Sequence, residues 1–536
     1  MSRWLKPVLI FFTAFLLVYV VLLQSTEFRP LTSLPSFSRL NRFDILRRDN
    51  AATTNGTENE ITLFDHPKAI LRKLADAARA ECHDFGEEHT DIRVNGERVV
   101  FDPDLAATIA PEEGDLNVYL VFHSHIDPGW LETFDEYYEN KVERILNNAV
   151  NFLTEHPDAR FIWSEMSYLH LWSQKADESM KEKLLNILHN GQLELCGGSW
   201  VMTDEATPYF WATIDNIVEG QRSVDPFGHG AITPYLLSLT GVDNLVVGRL
   251  DKHVKDTLIS RGSLLFSWAQ PWNTGTEDRL PLVSSLPRTF YTTVDACGPN
   301  SAVCCRFDFG NTRSFCGQRA NATPRNVKGL AEELTDQYRQ MQPYYRTNHL
   351  LIAIGDDFFF GSDNDFEDNY RNYKAIAEHV NSNPESSSPL CPTTSTPSTR
   401  KMSACPSYEA TSFPYTENRE GPHAWWTGYF VHRPDFKRLE RITQGKLRRL
   451  DILRVLSGKT DKAEALQTHR RNLALAQHHD SITGTSKPPV MADYKQRLIE
   501  AGHQFRQLEA DVWGDLDYVD FYNEGERLHF NSTITG

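Results

Sequence analysis

The chain reads Asn117-Val-Tyr-Leu-Val-Phe-His-Ser-His-Ile-Asp-Pro-Gly-Trp130, an apolar run that ends in two histidines and an aspartate. Short apolar runs separated by helical stretches are typical of the strands of a parallel sheet, which helices cover on both faces. Further runs of this kind lie downstream, at residues 160–164, 192–196, 244–248 and 349–354. The sequence therefore predicts an α/β fold over residues 116–382, built on a parallel β/α sheet or barrel.

Helical periodicity appears beside and beyond these runs. Leu131 to Glu155 reads as an amphipathic helix, and residues 437–458 and 461–479 repeat apolar side chains at helical spacing. We predict a three-helix-bundle domain over residues 421–520. Between the two domains lies a Ser/Thr/Pro-rich insert at residues 383–420, whose first part, 383–406, has a composition typical of disorder.

The N-terminus predicts the compartment. Residues 1–7 contain two cations and no acid, and Val8 to Leu23 is a run of sixteen uncharged residues. With its flanks this run just spans a bilayer core of about 30 Å, and the preceding cations favour a cytoplasmic start. We expect a cytoplasmic tail (1–7), a signal anchor (8–24) and a lumenal stem (25–115). The alternative is a cleaved signal peptide, although no small-residue cleavage site follows Leu23.

The cysteines and glycosylation motifs agree with a lumenal body. Four of the eight cysteines cluster at positions 297, 304, 305 and 316, and no Cys-x-x-Cys pair is present. Local disulfides are therefore expected rather than a thiolate zinc site. The glycosylation acceptors are Asn55, Asn321 and Asn531. With 55 basic and 72 acidic residues, the net charge of −17 argues against bulk nucleic-acid binding.

Polar residues follow the apolar runs with some regularity. His125 and Asp127 come directly after the first run, and Asp357 follows the last. Sites in α/β sheets form at the carboxyl ends of the strands. With Asp225 and a histidine from the His478-His479 pair, these residues offer the mixed nitrogen and oxygen donors that suit zinc. Each short motif alone is as typical of a turn or a surface, but together with nearby aromatic residues they favour a metal-dependent hydrolytic site that accepts a sugar.

Five separated motifs make this interpretation specific. They are His123-Ser-His-Ile-Asp-Pro-Gly-Trp-Leu-Glu-Thr-Phe-Asp-Glu-Tyr-Tyr138, Trp200-Val-Met-Thr-Asp-Glu-Ala206, Val224-Asp-Pro-Phe-Gly-His229, Gly355-Asp-Asp-Phe358 and His478-His-Asp-Ser-Ile-Thr-Gly-Thr-Ser-Lys487. Together they resemble glycoside hydrolase family 38, and within it the Golgi α-mannosidase II group. The resemblance extends over about residues 116–515 and implies a retaining, zinc-dependent α-mannosidase that trims terminal α1,3- and α1,6-linked mannose.

The resemblance also implies a role for each site residue. Asp225 would be the nucleophile and Asp357 the general acid/base. One Zn²⁺ would be held by His125, Asp127, Asp225 and His479. The substrate would be bound by Trp130, Phe227, Arg249, Tyr291, Asp480 and Trp426. The implied substrate is an N-linked oligomannose or hybrid glycan, and the implied location is the Golgi membrane with the catalytic domain in the lumen. A homodimer is the assembly considered.

Three departures from the family pattern keep alternatives open. Ile126 stands where the family usually has a polar residue, and only residues 222–224 separate Glu-Gly-Gln221 from Asp225. We also expect that the family's β-rich C-terminal domains are absent. The alternatives are a catalytically impaired glycan-binding or misassembled member of the family, or a lysosomal-type α-mannosidase. A metal-dependent deacetylase on a similar sheet would leave Asp357 and the His-His-Asp motif unexplained.

Overall fold

The computed structural model describes residues 116–513, apart from gaps at 197–199, 219–224, 240–243, 271–281, 289, 311–313, 318, 346, 383–406, 410–411, 418–423 and 458–462. The predicted tail, anchor and stem lie outside the described residues, as do 222–224, the predicted disordered stretch 383–406 and the acceptors Asn55 and Asn531. Within the described ranges, no helix is both long and apolar enough to cross a membrane.

The strands and helices follow one another in regular alternation over the first part of the chain. The strands are β1 (Asn117–His125), β2 (Phe161–Trp163), β3 (Leu193–Leu195), β4 (Gly228–Gly230), β5 (Asn244–Val247), β6 (Leu265–Ala269), β7 (Leu282–Ser285), β8 (His349–Asp357), β9 (Ser407–Glu409) and β10 (Ser412–Pro414). The α-helices are α1 (Phe134–Tyr137), α2 (Glu143–Glu155), α3 (Met166–Lys175), α4 (Glu178–His189), α5 (Phe210–Val218), α6 (Ile232–Leu239), α7 (Lys252–Ser260), α8 (Thr293–Ala296), α9 (Ser301–Cys304), α10 (Val327–Met341), α11 (Asp365–Ser382), α12 (Pro434–Ser457), α13 (Ala463–Ala476) and α14 (Pro488–Trp513). A π-helical turn lies at Tyr138–Val142, and 3₁₀ turns lie at Cys305–Phe307, Ser314–Cys316, Gln342–Tyr344 and Gly428–Phe430.

The central sheet is parallel, with strand order β3-β2-β1-β8. Its central strand β1 is buried on both faces, because Val118, Leu120 and Phe122 pack in the main core while Tyr119 and Val121 pack in a second cluster. Alternation of side chains between two buried faces explains why this run is apolar throughout. The predicted α/β fold class is confirmed.

The run at 244–248 behaves differently from the prediction. It forms β5, but β5 belongs to a separate four-stranded sheet with order β5-β7-β6-β9. In that sheet β6 and β7 are antiparallel, whereas β5–β7 and β6–β9 are parallel. The apolar pattern predicts one parallel sheet for all five runs. It does not predict β6, which pairs antiparallel with β7 in the second sheet.

The first predicted helix begins later than Leu131. Thr133 caps α1, since its hydroxyl accepts from the backbone N–H of Glu136 while the Glu136 carboxylate accepts from the N–H of Thr133. This reciprocal capping satisfies two backbone donors and fixes the first turn. The helical path then continues through the π-helical turn into α2, whose end at Glu155 agrees with the prediction.

The predicted helical domain is confirmed as three helices, α12, α13 and α14, that all contact one another. Their shared core includes Leu450, Leu466, Leu473 and Leu498. The segment between α13 and α14 contains His478 and His479, so the bundle delivers these residues to the α/β domain.

The predicted local disulfides are also confirmed. Cys297 bonds to Cys304, and Cys305 bonds to Cys316. The two disulfides lie in the region between β7 and α10, and this region also contains Tyr291. Ile126, the apolar departure between two site residues, is 2% exposed and belongs to the main core, so its side chain suits its surroundings.

Candidate active site

The neighbouring ends of β1 and β8 position the first site residues. In the register of the two parallel strands, His125 lies opposite Asp357. The backbone N–H of Phe358 donates to the carbonyl of His125 at 2.8 Å, which extends the pairing just beyond the strands. Because parallel strands end at the same edge, an imidazole and a carboxylate from positions more than 200 residues apart become neighbours.

A compact group of nitrogen and oxygen donors lies at this edge. One ligand atom from each of His125, Asp127, Asp225 and His479 lies within 4.8 Å of the others, and all four residues are buried. Oδ1 of Asp127 is 2.9 Å from Nε2 of His125 and 3.2 Å from Nε2 of His479. Oδ2 of Asp225 is 3.1 Å from Nε2 of His479 and 3.8 Å from Nε2 of His125. The structure therefore brings together all four residues that the sequence identified as ligands.

A backbone carbonyl fixes the orientation of the His479 ring. Its Nδ1–H donates to the carbonyl of Met202 at 3.0 Å, and its backbone N–H donates to the same carbonyl at 3.1 Å. With Nδ1–H bound to this carbonyl, Nε2 is the ring nitrogen that faces the carboxylates. A backbone carbonyl that fixes the tautomer in this way is the usual arrangement for a metal-ligating histidine.

The group fits a metal ion. Nε2 of His479 is fully buried and does not meet the geometry of a hydrogen bond to either carboxylate, although both lie close to it. Two imidazoles and two carboxylates form the borderline donor set that zinc accepts. A second group, Asp127, His478, His479 and Asp480, shares two of the same residues, so it overlaps the first rather than forming a separate centre.

The electrostatics hold the two carboxyl groups ionised, whereas a protonated His125 must lose its proton before it can bind a metal ion. Burial lowers the pKa of His125, but the neighbouring Asp127 carboxylate and the charges of Asp225 and Asp357 outweigh it and raise the pKa to about 9. Burial alone would raise the pKa of Asp127 and Asp225. The charge and hydrogen bond of His125 reverse this effect for Asp127, and the Arg249 guanidinium reverses it for Asp225. Both carboxyls are therefore held ionised, as ligation of a cation requires.

Arg249 anchors Asp225 from the side opposite the histidines. Its Nε–H donates to Oδ1 of Asp225 at 2.7 Å, and Nη2 also contacts this oxygen. Four aromatic rings surround the guanidinium with their centroids 5.1 to 5.5 Å from Cζ. These rings belong to Phe227, Phe290, Tyr415 and Trp426. The two oxygens of Asp225 thus have separate environments: Oδ1 faces Arg249 and Oδ2 faces the histidines.

Asp357 combines an exposed side chain with a raised pKa, two properties that suit a general acid. Its side chain is open to solvent on one side, and Oδ1 accepts a hydrogen bond from the hydroxyl of Tyr291 at 2.7 Å. Burial of the rest of the carboxyl raises its pKa above the ordinary value, and the charges of Asp127 and Asp225 add to the increase. His125 and the Tyr291 hydrogen bond oppose it. The adjacent carboxyls Asp225 and Asp357 therefore have pKa values shifted in opposite directions.

Aromatic side chains form one wall of the site. The Phe227 ring lies 5.1 Å from that of Trp426 and 5.9 Å from that of His479. Trp130 is half-buried, and its backbone is held by Glu132 and by Lys487, which precedes α14.

Asp480, next to His479, is buried, and burial together with the Asp127 charge raises the pKa of its carboxyl to about 7. The predicted substrate residues all lie around the ligand group or on elements that carry it.

Several residues at the site had no assigned role in the sequence. Met202 and Glu205 lie in the Trp200–Ala206 motif, whose pattern marks the segment without indicating a function. Tyr415 lies within the predicted Ser/Thr/Pro-rich insert, yet β10 pairs with β4 and brings this ring to Arg249. A tyrosine at the end of a low-complexity stretch carries no local signal of such a contact.

Sequence comparisons agree with this geometry. Residues 115–399 match the N-terminal domain of glycosyl hydrolases family 38, and residues 424–516 match an alpha-mannosidase middle domain. Alpha-mannosidase 2 of Rattus norvegicus is 35% identical over 440 residues, which cover 74% of this chain and 38% of that protein. A lysosomal alpha-mannosidase of Dictyostelium discoideum is 29% identical over 431 residues, covering 74% of this chain and 40% of that protein. A crystal structure of an alpha-mannosidase from Enterococcus faecalis V583 has a TM-score of 0.49 at 16% identity, covering 75% of this chain and 43% of that one. The chain thus spans about two-fifths of the length of these relatives.

Proposed function

The chain belongs to glycoside hydrolase family 38, and we therefore propose that it is a retaining, zinc-dependent α-mannosidase. The proposed substrate is terminal α1,3- and α1,6-linked mannose on N-linked oligomannose or hybrid glycans. The observation that carries the proposal is the convergence of His125, Asp127, Asp225 and His479 on one point, beside the separate carboxyl of Asp357.

His125, Asp127, Asp225 and His479 would hold one Zn²⁺. When bound, the ion supplies a Lewis acid that orients sugar hydroxyls and favours ring distortion. The low pKa of Asp127 and Asp225 means that no proton has to be displaced from either carboxylate when a cation binds.

Asp225 is the proposed nucleophile. Its ionised carboxylate attacks the anomeric carbon, the bond to the leaving oxygen breaks, and a mannosyl ester of Asp225 forms. Asp357 in its protonated form, which burial favours by raising the pKa of the carboxyl, donates a proton to the leaving oxygen. As a carboxylate it then removes a proton from the water that hydrolyses the ester. Two displacements give net retention of configuration, the outcome expected when the two carboxyls are about 5–5.5 Å apart.

The surrounding residues are assigned to sugar recognition. Trp130 and Phe227 offer apolar surfaces to the CH faces of the mannose ring, while Tyr291 and Asp480 offer hydroxyl partners. Arg249 holds the nucleophile. Trp426 lies against Phe227 and is assigned to a more remote sugar of the branched glycan.

The test is mannose release from an aryl α-mannoside and from a branched glycan by the purified chain supplied with zinc. We expect turnover with retention, and its loss in Asp225→Ala. The absence of turnover in the wild-type chain would contradict the proposal, and turnover retained by the variant would contradict the assigned nucleophile.

The proposed location is the Golgi membrane, with residues 8–24 as the anchor and the catalytic domain in the lumen. The two disulfides support an oxidising compartment. Asn321 supports lumenal glycosylation, because it is an acceptor motif residue that is exposed in the structure. Glycosidase treatment of the purified chain should lower its mass, and Asn321→Gln should reduce this change.

A homodimer is proposed as the assembly, and light scattering of the purified chain tests it.

A second candidate is a family member that binds glycans without cleaving them. The observation that favours it is the separation of Gln221 from Asp225 by three residues. In this case the chain would bind about one zinc ion and an oligomannose glycan, yet release no mannose. Measured turnover would exclude this candidate.

A further inference from the structure

The segment from Trp200 to Glu205 contacts two parts of the site that come from distant regions of the chain. The carbonyl of Met202 accepts from both the backbone and the ring of His479, and Sδ of Met202 lies 3.4 Å from the backbone nitrogen of Asp225. Thr203 forms an antiparallel bridge with His478. This segment therefore contacts two of the four residues that would bind the metal, His479 beside the helical domain and Asp225 in the α/β domain.

Glu205, at the end of this segment, contacts β4, the strand that follows Asp225. Its Oε1 accepts from Nδ1–H of His229 at 2.9 Å, and its Oε2 accepts from the backbone N–H of Gly230 at 3.0 Å. The side chains of Glu205 and His229 are 1% and 0% exposed. Charge-assisted hydrogen bonds removed from water in this way are among the stronger polar contacts in proteins.

The backbone around this contact has little freedom to shift. Gly228 has a φ of +108°, and a Cβ placed on it would lie 2.7 Å from the carbonyl oxygen of Phe413. A Cβ on Gly230 would lie 2.8 Å from the carbonyl oxygen of Glu205. The strand after Asp225 is thus enclosed between β10 on one side and Glu205 on the other.

We propose that Glu205 is a positioning residue that fixes the distance between Asp225 and His479. Its carboxylate binds the strand after Asp225, and its own segment holds His479 through Met202. The proposal rests on the proposed metal site, but it does not depend on which sugar is the substrate. Glu205 is not one of the four residues of the ligand group, so we expect its effect to act through the spacing of two ligands.

The experiment compares wild type, Glu205→Gln and Glu205→Ala as purified metal-free chains. Zinc affinity is measured by competition with a chromophoric chelator, alongside kcat and KM for an aryl α-mannoside. Loss of an outer-shell partner typically weakens metal affinity about 10- to 100-fold. We expect this loss for Glu205→Ala. A smaller loss is expected for Glu205→Gln, which keeps the bond to Gly230. We also expect kcat to fall while KM changes little.

Asp308→Asn is the matched control. Asp308 is a buried carboxylate paired with Arg319, in the loop that the Cys305–Cys316 disulfide closes. It should lower thermal stability and leave zinc affinity unchanged. Glu205 variants that fold and bind zinc as tightly as wild type would overturn the inference. If Glu205→Ala does not fold, the near-isosteric Glu205→Gln gives the same readout. A wild-type chain that binds no zinc would overturn the proposed function, and the inference with it.

Discussion

Two regions of the site are built in different ways. At the edge of the central sheet, His125 and Asp357 are fixed by the register of β1 and β8, two long strands with continuous backbone pairing. The loop from Asp225 to Gly230 has only the short pairing of β4 with β10 as backbone support, and its position also depends on side chains from three distant segments: Met202 and Glu205, Arg249, and Tyr415. The sheet edge derives its geometry from the backbone, whereas the nucleophile loop derives it from tertiary contacts. Substitutions at the edge should therefore alter chemistry alone, and substitutions in the loop should alter chemistry and stability together.

The largest effect is expected at the sheet edge. Asp357→Asn removes the proton donor and should lower kcat/KM for a glycan by roughly 100- to 10,000-fold. Because the side chain is open to solvent, the free energy of unfolding should change by less than about 0.5 kcal/mol. Kinetics and chemical denaturation of the same preparation measure both quantities. A large loss of stability would contradict the independence of the edge.

Arg249 tests the loop. Arg249→Met leaves the buried Asp225 carboxylate without its cation and should cost about 3–5 kcal/mol of unfolding free energy. We expect kcat to fall as well, because the nucleophile loses its orientation. Arg249→Lys keeps the charge but not the planar fork that the four rings enclose, so we expect it to restore part of the stability and little of the activity. Full activity in the lysine variant would show that charge alone positions Asp225.

A smaller loss is expected from a single methyl group in the loop. Gly228→Ala places a side chain at a positive φ and against the carbonyl of Phe413, and should destabilise the fold by about 1–3 kcal/mol. A Cβ on Gly445 in α12 would have no other atom within 4 Å among the described residues, so Gly445→Ala should stabilise the fold by about 0.5–1 kcal/mol. Thermal melts of the two variants compare the same chemical change in opposite backbone settings. Equal melting temperatures would contradict the assigned constraint on the loop.

The smallest expected effect is on pH dependence. The Tyr291 hydroxyl donates to ionised Asp357 and so lowers the pKa of that carboxyl. Tyr291→Phe removes this bond, so the pKa of Asp357 should rise. Activity that requires protonated Asp357 is lost as pH rises through this pKa, and the alkaline limb of kcat/KM should therefore move to higher pH. A shift to lower pH, or an unchanged limb, would contradict the role of Tyr291.

The same contrast explains what the sequence could predict. β1 and β8 are continuous apolar runs, and the polar residues at their ends follow from the parallel arrangement, so the sheet edge was accessible from local patterns. The helical domain was also predictable, because α12 and α13 repeat apolar residues at helical spacing.

The surroundings of Asp225 were not accessible in this way. Glu205 and Tyr415 lie 20 and 190 positions from Asp225, and neither has a local pattern that indicates its partner. The antiparallel strand β6 was missed for a similar reason: its short apolar run has no distinguishing feature until β7 pairs with it. Tertiary packing determines these elements, and a single sequence displays the residues without the contacts.

The two disulfides have a consequence for how the chain matures. Cys304 and Cys305 are adjacent, so exchanging their partners would close loops only one residue longer than the native ones. Loop-closure entropy distinguishes the two connectivities by only about 0.2 kcal/mol. The choice must therefore come from packing: Cys297 and Cys304 are fully buried, whereas Cys305 and Cys316 lie at the border of the core. The native connectivity is therefore selected by the packing of the core around Cys304, and not by the length of the loops that the disulfides close.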